Sequence, residues 1–148
     1  MNILFSVRGQ RLEEQWRKAT QFIDFRAHKV YFLHVFDPSL IEGLDEAQRY
    51  TLPRRLSPQR EAEMRAAERA RSEERLAQAK ALAAADGVEA ETILAEGPAA
   101  ETILHVARER QMDLLILGRQ HPGLERFLLG GVARFVVDKA PCSVLLLR

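Results

Sequence analysis

Cysteine is almost missing from this chain: Cys142 stands alone among 148 residues, which excludes an intrachain disulfide framework and leaves burial and hydrogen bonding to hold the fold. Long apolar runs are missing too. None approaches the roughly 20 residues a membrane-spanning helix needs. The opening MNILFSVRGQ reaches Arg8 and Gly9 after a handful of apolar residues, too few for a signal peptide. A cytoplasmic protein with no membrane partner is the expectation. Net charge is nearly nil, with 22 basic against 21 acidic side chains, so no global field recruits nucleic acid. The four histidines, His28, His34, His105 and His121, show no metal-ligand spacing with Cys142 or with paired carboxylates, so no metal site is expected. No Gly-x-Ser-x-Gly elbow occurs, and no acid and base stand beside a nucleophile, so no catalytic residue is assigned.

What is present is 47% hydrophobic content in a chain of single-domain length, read as one domain over residues 1–148. Short apolar runs alternate with stretches of helical period, the pattern of βα units feeding a parallel sheet covered on both faces. Five strands are expected at Asn2–Val7, Val30–Phe36, Glu89–Ala95, Asp113–Leu117 and Ser143–Leu147. Leu12, Trp16, Ala19 and Ile23 recur at helical spacing and mark the inward face of a first helix. Pro38, Gly43, Pro53 and Pro58 punctuate residues 37–58, which reads as an exposed loop. Ser57-Pro58 then supplies a cap and a proline suited to the first helical position, opening a long alanine- and charge-rich helix that Gly87 ends. A helix after Gly97-Pro98 carries Ile103, Leu104 and Ala107, and a last helix from Gly130 or Gly131 to Lys139 turns Val132, Phe135 and Val136 inward.

In open α/β sheets, ligands bind beyond the carboxyl ends of the strands where strand order reverses. The run GRQHPGLERFLLGG, residues 118 to 131, leaves one strand at Gly118 and enters a helix at Gly130-Gly131. Such a loop can bring backbone N–H groups and a helix dipole to an anion, although glycines there also serve as ordinary turn and cap residues.

The strand NILFSV, the strand ending FLHV, the strand DLLILG, the segment GLERFLLGGVARFVV and the close KAPCSVLLLR resemble, across essentially the whole chain, the universal stress protein family. That resemblance implies five parallel strands in order 3-2-1-4-5 with helices on both faces, an adenine nucleotide alpha-hydrolase-like fold. It also implies homodimers through the last strand, and a division into ATP-binding and non-binding branches. The binding branch carries an aspartate after the first strand, then glycine, two residues, glycine, nine residues, glycine and a serine or threonine. Here Gly118, Gly130, Val132 and the adenine-side Val35 keep the pattern. Arg8 replaces the aspartate, His121 the second glycine and Gly131 the hydroxyl residue, and the loop is one residue shorter.

A carboxylate accepts from ribose or adenine whereas a guanidinium only donates, so Arg8 changes the chemistry. Two roles are open to it: contact with a phosphate or other anion, or pairing with Asp37 that plugs the cleft. Arg119 and Arg126 flank the loop, either neutralising a polyphosphate or simply solvated. The expected function is a dimeric stress-response binding or signalling module with a degenerate cleft for ATP with Mg or another adenine nucleotide. The alternatives are an adaptor that acts through protein partners and, in the enzyme class, slow ATP hydrolysis. Val144, Leu145, Leu146 and Leu147 form a long apolar final strand that calls for cover, supplied by a second copy or by the loop of residues 37–58 or the long helix.

Overall fold

A computed structural model describes residues 1–8, 11–38, 57–118 and 130–148. The five strands are β1 (Asn2–Ser6), β2 (Lys29–Phe36), β3 (Ala90–Glu96), β4 (Leu114–Gly118) and β5 (Ser143–Leu147). They form one parallel sheet in the order β3-β2-β1-β4-β5. Strand boundaries differ from the sequence reading by one residue at most ends. The first strand's ladder continues past Ser6, since the Val7 N–H donates to the Leu33 carbonyl at 2.7 Å.

Among the described residues four α-helices cover the sheet: α1 (Leu12–Ala19), α2 (Pro58–Ala85), α3 (Ala99–Glu109) and α4 (Gly131–Lys139). Side chains alternate between the two faces of a strand, and both faces here are apolar. Ile3, Phe5, Val30, Phe32 and Ile116 pack against Leu12, Trp16 and Ala19 of α1 and Leu76, Ala79 and Ala83 of α2. Leu4, Leu33, Leu115 and Leu117 pack against Ile103, Leu104 and Ala107 of α3 and Val136 of α4. The first of these cores is aromatic at its centre, where Trp16 stacks on Phe25 at 4.7 Å between ring centroids and meets Phe32 at 5.6 Å. The indole N–H donates to Asp86 Oδ2 at 2.6 Å, which satisfies the one polar atom of that side chain.

Local sequence explains the ends of α2. Ser57 caps it by accepting from the Arg60 N–H at 3.3 Å, Pro58 occupies the first helical position, and Gly87 at φ 75° lets the chain turn out of the helix. Its first buried residue is Ser72, so the amino half from Pro58 to Arg71 buries none of its side chains fully. At 1.5 Å per residue that is about 20 Å of helix beyond the part that packs on the core.

Two inward assignments change. Phe135 is 37% exposed, with Lys139 Nζ 5.6 Å from its ring centroid, because α4 gives the core a narrow stripe that Val136 fills. Ile23 lies beyond the end of α1 and reaches the core only as a half-buried neighbour. The amino end of β1 is tied to the start of β4 by a reciprocal pair: Asn2 N–H donates to Asp113 Oδ2 at 2.7 Å, and Asp113 N–H donates to the Asn2 carbonyl at 2.8 Å.

Candidate functional site

Strand order reverses between β1 and β4, and in open α/β sheets the ligand crevice lies at that point, beyond the carboxyl ends of the strands. The side chains that reach this crevice follow from alternation along β1. Leu4 belongs to the face under α3 and α4, so Ser6 and then Arg8 carry that face to the end of the strand, while Val7 belongs to the opposite face. Val35 on β2 and Val132 on α4 lie half-buried on the same side as Leu4. The structure therefore brings Arg8, Val35 and Val132 to one side of the sheet.

Arg8 is partly buried. Loss of water lowers its guanidinium below the ordinary arginine value, and no carboxylate among the described residues offsets this by raising it. Behind it, on the other face, His34 is 8% exposed and its Nδ1–H donates to the Val7 carbonyl at 2.8 Å. Burial is the main cause that lowers the His34 pKa, the Val7 hydrogen bond opposes it, Arg75 and Arg8 lower it further, and Glu68 raises it.

Both helices that begin at this end on the α3/α4 side lack a side-chain cap: Pro98 precedes α3 and Gly130 precedes α4, and neither supplies an acceptor. Their first N–H groups face outward with the positive end of the helix dipole. Among the described residues, a β-carbon placed on Gly130 or Gly131 would meet nothing within 4 Å.

Two buried oxygens at the floor of the crevice have no hydrogen-bond partner among the described residues, Ser6 Oγ and Gln15 Oε1. Ser6 pairs in register with Leu117, and Gln15 of α1 lies directly against Gly118, the last residue of β4. Such an unpartnered group costs about 1–3 kcal/mol, a cost that water or a polar ligand removes. Sequence reasoning did not single out either residue. The signals were a serine interrupting an apolar strand and a glutamine inside the inward stripe Leu12, Trp16, Ala19.

Arg119, His121 and Arg126 lie outside the described residues. Cys142 is half-buried and its thiol pKa is raised, chiefly by burial, which suits a packed rather than a reactive side chain. No group of three or more His, Cys, Asp or Glu side chains that could hold a metal occurs among the described residues. At the sheet edge, Leu147 is buried in its own chain's core and Leu145 packs beside the same cluster, while Val144 and Leu146 pack on the opposite face. What β5 leaves open is thus its backbone flank more than its side chains.

A model of the universal stress protein family matches residues 13–148. Over 121 residues, 81% of this chain, the sequence is 31% identical to a universal stress protein of Methanocaldococcus jannaschii, of which the match covers 65%. Matches span 38–65% of the length of the curated relatives. Among solved structures, a universal stress protein UspA from Lactobacillus plantarum superposes with a TM-score of 0.76 at 22% identity, covering 100% of this chain and 97% of that one. The universal stress protein of Archaeoglobus fulgidus in complex with dAMP superposes with a TM-score of 0.63 at 22% identity, covering 100% and 98%. These two likenesses establish the fold.

Proposed function

The chain belongs to the universal stress protein family, and from that premise we propose that it is a stress-response module that holds an adenine nucleotide in the crevice between β1 and β4. The observation that carries this reading is the uncapped amino end of α4 at the point where strand order reverses, with open space around Gly130 and Gly131. Phosphates lie against the first N–H groups of α4, and the base lies toward Val35. Gly118 lets the chain pass close to Gln15, and Val132 supplies an apolar wall behind the phosphates. The dAMP complex of the Archaeoglobus fulgidus protein supports the choice of an adenine nucleotide. ATP is the nucleotide expected, and magnesium would be carried by its phosphates.

The direct test is calorimetric titration of the purified protein with ATP and magnesium, after mass spectrometry for nucleotide retained through purification. Micromolar binding or retained nucleotide is expected. No heat and no retained nucleotide would sink the reading.

The same proposal places the protein in the cytoplasm as a homodimer. No helix among the described residues is long and apolar enough to cross a membrane. β5 forms one edge of the sheet, and its open flank is suited to a second copy of the chain. Sedimentation at micromolar concentration checks this, and a monomeric mass would refute it.

A second reading, an adaptor for protein partners, is favoured by one observation: the amino half of α2 projects without a buried side chain. Replacing the exposed Arg60, Arg69 and Arg71 together should leave nucleotide binding intact and abolish partner capture if this reading holds.

A further inference from the structure

Resting on the nucleotide reading, we infer that Arg8 is a specificity-determining residue that selects adenine nucleotides bearing an additional phosphate on the ribose. Positive potential is offered to the crevice at two separate places. One is the amino end of α4, reached from β4. The other is Arg8, which follows the end of β1 on the face that Leu4 turns toward α3 and α4. β1 and β4 are neighbours in the sheet, so one ligand can reach both places.

With its phosphates on α4 and its base toward Val35, a nucleotide carries its ribose across the end of β1, under Arg8. Unmodified ribose presents hydroxyl groups, which are weak acceptors for a guanidinium. A phosphate there accepts two parallel N–H bonds from it. The same exchange of an acidic residue for an arginine distinguishes ribose 2′-phosphate from the free hydroxyl in dinucleotide-binding folds generally.

Three features of the chain agree with this role. Arg8 is partly desolvated, and no carboxylate among the described residues raises its pKa, so an incoming anion meets a charge that burial has already stripped of part of its water. Ser6 Oγ lies one step below on the same face, fully buried and without a partner among the described residues, and can donate toward a group seated at Arg8. The α3 amino end, also uncapped, faces the same side of the sheet and adds the positive end of its dipole.

The test is a comparison of affinities for AMP, ADP, adenosine 2′,5′-bisphosphate and adenosine 3′,5′-bisphosphate, measured on the wild-type protein and on Arg8→Gln and Arg8→Lys. Wild type should bind at least one of the two bisphosphates about tenfold or more tightly than AMP, and more tightly than ADP, which carries the same number of phosphates. Arg8→Gln should erase that preference, weakening binding of the preferred bisphosphate more than that of AMP. Arg8→Lys, which keeps the charge but not the paired donors, should retain a part of the preference and serves if the glutamine variant fails to fold. If AMP or ADP binds and neither ribose phosphate adds affinity, or if the preference survives Arg8→Gln, the role of Arg8 is overturned while the nucleotide reading stands. If none of the four binds wild type, the role of Arg8 is overturned, and the titration with ATP decides the nucleotide reading separately.

Discussion

Gln15 occupies the space that a β-carbon on Gly118 would need: its Nε2 lies 2.0 Å and its Cδ 2.1 Å from that position. The contact joins α1 to the last residue of β4 and closes the floor of the crevice on one side. The residue is glycine because a buried amide from a neighbouring helix comes within bonding distance of any larger side chain's first carbon.

Gly118→Ala should therefore destabilise the fold by about 1–3 kcal/mol, the usual range for overpacking, as the Gln15 amide is driven out of a buried slot. Chemical denaturation measures this. Combining the change with Gln15→Ala should recover most of the loss, and additive losses would show that the two residues do not compete for one space.

Trp16 and Asp86 are coupled through the 2.6 Å bond from the indole N–H, across 70 residues of sequence. Asp86→Ala leaves that donor partly buried and unpaired and should cost about 1–3 kcal/mol. Trp16→Phe removes both the donor and ring volume that stacks on Phe25. A double-mutant cycle followed by circular dichroism should return a coupling of about 1–2 kcal/mol, and a coupling near zero would mean the bond adds nothing.

His34 makes stability depend on pH with a definite sign. Its folded pKa is lowered from 6.5, mainly by burial, so below pH 6.5 the unfolded chain takes up a proton that the folded chain resists. This contribution is whole above pH 6.5 and is lost as pH falls through the lowered folded value. Unfolding free energy measured from pH 7.5 to 5 should decline more steeply for wild type than for His34→Gln. Parallel curves would assign the decline to other groups.

Gly131 separates helix stability from ligand affinity. Its added β-carbon has free space, so Gly131→Ala should stabilise the fold by about 0.4–1 kcal/mol through lower unfolded-state entropy, with no change in ATP affinity. Gly131→Ser should add one hydrogen bond to a phosphate, about 0.5–1.5 kcal/mol, read as roughly two- to tenfold tighter binding in calorimetry. Equal effects of the two changes on affinity would place the phosphates away from α4.

Periodicity made most of the architecture legible before any coordinates. The inward face of α1, the capped start of α2 and the Gly87 stop follow from local rules that tertiary contacts do not override here. Phe135 was misplaced because helical spacing marks an apolar face without giving its width, and α4 packs only a narrow stripe on the sheet. The crevice was legible in part. Gly130 and Gly131 announce themselves by composition, whereas the placement of Arg8 beside Val35 depends on β1 and β2 being neighbours in register. The orphaned oxygens of Ser6 and Gln15 are invisible to any local rule, since lack of a partner is a property of everything around them.

The reciprocal bonds between Asn2 and Asp113 join positions 111 residues apart, and β1 lies at the centre of the sheet while preceding the other four described strands in the chain. One flank of that strand can pair with β2 early, but the other has no partner until residues 114–118 have been made. During translation this strand, buried at all but its first residue, thus waits with an unpaired edge for most of the chain's length. Closure of so long a loop is slow compared with helix formation, so the sheet's second half sets the pace of folding and the nascent chain, rather than the finished molecule, carries the greater exposure to aggregation.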